Sequence, residues 1–474
     1  MERGHGISGL YPPGPRRSPL SAIVYFPGRD PLTFFSGLVR KYGDLVHLFL
    51  AREHLYVVNH PSQVRDILVT NQRSFKKGRG LEGAKRLLGE GLLTSEGEVH
   101  LRQRRLIQPA FHRERLLSYA STMTEHACRL RDRWADGATV DAAQEMMRLT
   151  LGIVGRTLFG TDVEAQAPEV GRALTDVMKT FWMTMLPFFD DLEKLPIPAL
   201  ARGRRARVEL DRIIYGMIAE RRRRPEDRGD LLSMLLMAQD VEGDGSRMTD
   251  TQVRDEAMTI FLAGTVTTSN ALSWTWYLLS EHPAVEARVH EEIDRVLGGR
   301  LPTMDDVPRL PIVEQVVTEA MRLYPPAWII GRRALVPYEI GGYRAPARSV
   351  FVFSPYIIQR DARWYADPDR FVPERWTPEF KASLPPFAYL PFGGGQRRCI
   401  GDQFAWTELS LVLATIAQRW KLRLVPGHPV APQAVVTLRV KHGLKMTVRR
   451  RDSGLGARDS QKKSAEPRKH ENDS

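Results

Sequence analysis

The segment Pro391–Gly401, PFGGGQRRCIG, presents one cysteine, Cys399, behind three consecutive glycines and beside Arg397 and Arg398. A phosphate loop needs Gly-Lys-Ser/Thr opening a helix, and this segment has none. Structural zinc and iron–sulfur clusters need about four ligands, usually with CxxC spacing. The chain has two cysteines, Cys128 and Cys399, far apart. Two readings stand: a lone thiolate serving as one axial ligand of a cofactor that brings its other ligands along, or a buried structural cysteine. Cys128, on the amphipathic stretch EHACRLRDRW, reads as packing.

A second unusual segment is FLAGTVTTSN, Phe261–Asn270. It sets a glycine, three threonines, a serine and an asparagine in the middle of a helical pattern, where Gly264 alone costs about 1 kcal/mol against Ala. Threonine hydroxyls can bond a carbonyl four residues back and bend a helix. The segment therefore suits either a ligand-accepting bend or close helix packing through small residues.

The helix that must carry this segment starts at a capping box, Thr249 with Gln252, and runs without proline to Pro283. About 30 residues span roughly 45 Å, enough to cross the molecule. Before it, DLVHLFL and HLYVVN flank ARE as a β-hairpin, and helical patterns dominate from Ser62 to about Tyr324. Short strand-like pieces such as VPYEIGGYRAP and SVFVFSPY follow, with one more helix after Gly401. The expected fold is mainly α with a smaller β region. Its divisions are an extended proline-rich segment over 1–20, one domain over 21–450, and a polar, disordered tail over 451–474.

Composition bounds the rest. The 474 residues carry 69 Lys and Arg against 56 Asp and Glu, a formal charge of +13. The basic runs Arg202–Arg207 and Arg221–Arg224 have Glu209, Asp211 and Glu220 nearby and no binding motif. They read as a solvated helix face, not a nucleic-acid site. Two cysteines and no apolar leader favour a reducing, cytoplasmic setting. No apolar run approaches the roughly 18 to 20 residues that span a bilayer, which leaves only peripheral membrane contact open.

These segments together resemble the cytochrome P450 family, with matches in order from about residue 10 to 450. Phe392, Gly395, Arg397, Cys399 and Gly401 fit the family's heme-binding signature F-x-x-G-x-R-x-C-x-G at every fixed position. The resemblance implies heme b under the long central helix, with Cys399 as the iron ligand and its electron density favouring O–O cleavage. It implies that glycines 393–395 pass close beneath the macrocycle and that Phe392 limits water near the sulfur. Arg397, His100, Arg104 and Arg332 match positions that serve the heme propionates. Glu319 and Arg322, an E-x-x-R pair, join Arg375 of PERW in a network buttressing the cysteine loop. Thr267, with Gly264 and Thr268, falls at the oxygen-activating positions. Phe181, Trp182, Val266, Trp328 and Ile329 match the walls of an apolar substrate pocket. One departure stands out: the family's central helix reads A/G-G-x-D/E-T, whereas this chain has Val266 in place of the acid.

The expected function is that of a heme-thiolate monooxygenase acting on an apolar small molecule such as a fatty acid or terpenoid. It consumes O₂ and takes electrons from a separate ferredoxin or flavodoxin with its reductase, for which Arg398 and the basic surplus would suit an acidic partner. The alternatives are a peroxide-driven oxygenase or heme isomerase, suggested by Val266, and a non-catalytic heme-binding protein.

Overall fold

The computed structural model describes residues 10–15, 30–50, 53–162, 167–181, 197–239, 245 and 247–451. Its axis is the central helix, Asp250–Glu281. Thr249 Oγ1 accepts from the Gln252 N–H at 3.2 Å and Gln252 Oε1 accepts from the Thr249 N–H at 2.9 Å, closing the expected capping box. The helix runs unbroken to Glu281, and Pro283 opens the next one, Pro283–Leu297. Around it pack Ala142–Phe159, Pro198–Arg223, Pro311–Leu323 and Asp402–Ala417, whose apolar faces fill the main core.

The β region lies to one side. In spatial order its larger sheet holds Leu45–Leu50, Glu53–Val58, Val350–Phe353, Ile330–Ala334 and Phe75–Lys77. The expected hairpin is its antiparallel edge, Leu45 facing Val58. Glu53–Val58 runs parallel to Val350–Phe353, a pairing between segments some 300 positions apart that no local pattern announces. The proline-rich residues 10–15 lie against the hairpin: the His47 N–H bonds the Pro13 carbonyl at 3.0 Å and Tyr11 stacks on the His47 ring.

Two expectations are corrected. Arg221 is not on a solvated face; it is buried, bonds both Asp230 oxygens at 2.8 Å and reaches the Phe159 carbonyl. Arg451, assigned to the tail, is buried too, donating to the Ala417 carbonyl at 3.2 Å and pairing with Asp294. Residues 452–474 lie outside the described residues.

Candidate active site

Cys399 follows a short helical turn, Gly395–Arg397, and precedes Gly401, which caps the helix Asp402–Ala417. Its N–H bonds the Phe392 carbonyl at 3.0 Å, closing the loop. Burial pushes its thiol pKa up, while the Gly401 N–H, Arg104 and Arg398 pull it down. The residue is nevertheless exposed, so it is crowded on one side and open on the other. Two of the three glycines are required by protein neighbours, while a Cβ on Gly393 would meet only an Ile330 methyl at 4.0 Å. Gly395 has φ +68° and a Cβ there would strike the Leu68 carbonyl; one on Gly394 would strike the Phe387 ring. Phe392 is half-buried against Trp406.

The open face of the central helix is sharply delimited. From Val253 to Trp276 every residue is buried except Ala263, Gly264 and Thr267, which fall on one side of the helix. Thr267 Oγ1 donates to the Ala263 carbonyl at 2.6 Å, the four-back bond expected of it. Gly264 lies against Val154, where a Cβ would stand 3.1 Å from a methyl, so close packing also holds. Thr268 is buried and turns to the fully buried Glu408 of the helix Asp402–Ala417, whose carboxyl burial pushes well up.

Five basic side chains gather on this side of the molecule, with Glu96 as the carboxylate paired directly to one of them. Lys77 stands directly opposite Arg332 in the strand pair. Its Nζ donates to the Leu92 and Ser95 carbonyls at 2.9 and 2.8 Å. Arg397 donates to the Ser95 carbonyl at 2.9 Å and pairs with Glu96, a partner the sequence did not suggest. Arg332 donates, among the described residues, only to its neighbour's carbonyl, Gly331, at 2.9 Å. His100 is buried, and Arg104 donates to the Arg398 carbonyl at 2.8 Å. Burial, reinforced by Arg397, holds Lys77 down to about 7, Arg332 to about 10 and His100 to about 3. Basic groups crowded out of water in excess of the carboxylates near them favour added anions.

Glu319 and Arg322 form the buttress. The pair bonds at 2.7 and 2.9 Å, and Glu319 also accepts from Arg375 Nε at 3.1 Å, Trp376 Nε1 at 2.8 Å and the Val372 N–H at 3.0 Å. Arg322 donates to the carbonyls of Gln359, Pro368 and Arg370. Gln359 Oε1 in turn accepts from the Leu390 N–H at 3.0 Å, carrying the network to the start of the cysteine loop. Trp376 and Gln359 were invisible as partners in the sequence.

The structure places the pocket candidates differently from one another. Val266 is 8% exposed and belongs to the main core, and Trp328 is 1% exposed, its indole bonding the Val435 carbonyl at 2.9 Å. Neither side chain lines an open face, because each is turned into packed apolar contacts. Ile329 is half-buried. Phe181 ends the helix Ala167–Phe181, and Trp182 lies outside the described residues. Leu93 is 40% exposed between buried Leu92 and Thr94, on the loop whose Leu92 N–H bonds Glu256 of the central helix. A groove of about 500 Å³ between Ala167–Phe181 and Pro198–Arg223 is lined by charges of both signs, including Glu169, Arg172 and Arg205, and does not supply an apolar chamber.

An exposed thiol on a tight loop before a helix, beside Arg332 with no carboxylate partner among the described residues, suits a heme-thiolate protein. The chain belongs to the cytochrome P450 family, whose profile, Cytochrome P450, matches residues 12–445. It is similar to cyclooctatin synthase of Streptomyces melanosporofaciens, 41% identical over 89% of this chain and 92% of that one. Pentalenene oxygenase of Streptomyces avermitilis is 39% identical over 90% and 94%. Among solved structures, a cytochrome P450DA heme domain superposes with a TM-score of 0.83 at 29% identity, covering 94% of this chain and 98% of that chain. The protein is a cytochrome P450 monooxygenase with heme b as its cofactor. Among the described residues no helix is long and apolar enough to cross a membrane.

The residues present fit that cofactor. The thiol is open on one side, the central helix exposes one small-residue face, and Arg332 lacks a carboxylate among the described residues.

Proposed function

We propose that this protein oxidises a terpenoid, with electrons delivered by a separate ferredoxin or flavodoxin. The observation that carries the substrate class is the group of relatives named for terpenoid chemistry: cyclooctatin synthase, pentalenene oxygenase and, at 40% identity over 84% of this chain, a cyclooctat-9-en-7-ol 5-monooxygenase. The open face at Ala263, Gly264 and Thr267 supports the same reading, since it is small and carries no charged side chain to pair with a fatty-acid carboxylate.

Bound heme supplies oxygen activation at its iron. Cys399 would ligate that iron through its thiolate, and Arg332, Arg397, His100 and Arg104 would hold the group's carboxylates. Glu319, Arg322 and Arg375 keep the cysteine loop in register. Thr267 presents a hydroxyl at the open face, where it can hold a proton or a water in place. Ala263 and Gly264 leave room beside that hydroxyl for the hydrocarbon. Replacing Cys399 with Ser removes the thiolate, so the reduced protein treated with CO should lose the red-shifted band of a thiolate complex.

The substrate test is a titration of the holoprotein with pentalenene, other cyclic terpenes and long-chain fatty acids, following the Soret shift that accompanies loss of iron-bound water. Cyclic terpenes should give the shift at the lowest concentrations. A response to fatty acids alone would overturn the terpenoid reading.

A further inference from the structure

Val266 occupies the position of the family's usual acid and is buried in the core, yet an acid stands ten residues earlier on the same helix. Glu256 is fully buried; its Oε2 accepts from the Leu92 N–H at 2.8 Å, and its Oε1 has no hydrogen-bond partner among the described residues. Ala263 and Thr267 follow it by seven and eleven residues, about two and three helical turns, so all three share one face. Thr259 lies between them, and its buried hydroxyl is likewise without a partner among the described residues. Gly91 passes so close that a Cβ would meet that hydroxyl.

Leu92 links this acid to a base. Its N–H goes to Glu256, and its carbonyl accepts from Lys77 Nζ at 2.9 Å. Lys77 also borders a cavity of about 50 Å³, lined further by Lys76, Glu82, Lys85, Thr94 and Glu96. Lys76 and Lys85 at its rim are partly exposed, and the volume admits about one or two waters. Two more buried atoms around the same loop, Ser95 Oγ and Gln103 Oε1, have no partner among the described residues. Buried polar atoms are normally paired by protein or by ordered water, so four orphans around one loop mark a path for water.

We propose that Lys77, Glu256 and Thr259, joined by water, carry protons from the Lys76–Lys85 cavity to the open face at Ala263–Thr267, in place of the acid missing at position 266. The proposal rests on the monooxygenase reading. The reaction consumes two protons and two electrons with O₂ and R–H and yields R–OH and water. The electrons come from the reductase partner, and the protons end in the water. Each time Glu256 yields a proton it becomes a carboxylate and is recharged from solvent through Lys77, leaving the chain unchanged. Both groups are poised for this exchange. Burial pushes Glu256 up to about 8, with Asp255 adding and the Leu92 N–H and Lys77 opposing. Burial, Arg397 and Arg332 hold Lys77 near 7 against Glu96 and Glu256.

The test compares Glu256→Gln, which keeps an acceptor for Leu92 but no transferable proton, with Glu256→Leu, which loses both. In holoprotein supplied with a surrogate ferredoxin, its reductase and pentalenene, Glu256→Gln should slow product formation by about 10²-fold, with more peroxide per electron, at unchanged heme content and CO band. Glu256→Asp, a poorer fit to the site than Gln but with a transferable proton, should rescue most of the rate; a merely structural role would favour Gln over Asp. Independently of turnover, infrared spectra of the holoprotein at pH 7 should show protonated-carboxyl absorption to which Glu408 also contributes, and the difference spectrum of wild type minus Glu256→Gln should contain one such band that shifts in D₂O. Unchanged rate and peroxide yield in Glu256→Gln, damage confined to Glu256→Leu, failure of the rescue, or absence of the band would each overturn the proposal. A wild-type enzyme that oxidises no terpene would instead overturn the terpenoid reading, and the infrared band alone would then decide this one.

Discussion

Glu319 and Arg322 are joined by two parallel hydrogen bonds, at 2.7 and 2.9 Å, with both side chains 0% exposed. A pair three residues apart on a surface helix contributes about 0.2 to 0.5 kcal/mol. Here burial changes the arithmetic, because removing either partner strands a charge that water cannot reach. Glu319→Ala leaves Arg322, Arg375 and Trp376 without their shared acceptor and should cost about 3 to 5 kcal/mol. The expected loss is in soluble, heme-loaded protein, not in the rate per heme. A folded, fully loaded but slow variant would contradict the structural role.

Gly395→Ala tests the backbone of the cysteine loop. The left-handed φ of +68° costs a non-glycine residue about 1 to 2 kcal/mol, and the clash with the Leu68 carbonyl adds to it. Gly427→Ala, at φ +78° with nothing within 4 Å, pays only the first cost. The Gly395 variant should therefore release heme faster to a scavenger protein than the Gly427 variant. Equal release rates would show that the loop tolerates the shift.

Arg332→Met should act in opposite directions on the two forms of the protein. Without heme, the change relieves a desolvated cation beside Lys77 and Arg397 and should raise the urea midpoint. With heme, it removes a charge-assisted partner for a propionate and should weaken retention. A variant less stable in both forms would mean that Arg332 serves packing.

His290 supplies a pH dependence away from the cofactor. It is buried with Nε2 unpaired among the described residues, and burial, then Arg451, Lys421 and Arg423, hold its pKa down to about 3. Between about 3 and the ordinary 6.5 the unfolded chain binds a proton there that the folded chain does not, so its contribution to stability rises with pH across that window. His290→Met should lose less stability than wild type between pH 7 and pH 4.5 in urea titrations. Parallel losses would assign the acid sensitivity elsewhere.

Thr267→Val removes the hydroxyl at the open face while keeping the side chain's shape. Peroxide released per electron should rise and product formation fall, by roughly the 10² expected for a positioned proton carrier. Thr267→Ser should recover most of the loss, and a Val variant with unchanged peroxide yield would remove Thr267 from oxygen activation.

Features whose physics is local could be read from the order of residues alone. A capping box, a proline-free run and a terminal proline define the central helix, because end capping and the missing proline N–H act within a few residues. The spacing around Cys399 likewise carried the family, since a tight turn before a helix must be written in consecutive positions. Only the tertiary structure decided the rest. Whether Val266 and Trp328 face a ligand or the core depends on helix rotation and on neighbours such as Val435, far away in the chain. The pairing of Lys77 with Arg332, of Arg397 with Glu96 and of Glu256 with Leu92 brings together groups on separate segments. Their altered proton affinities come from burial and from each other's charge, and both exist only once the chain has closed around them.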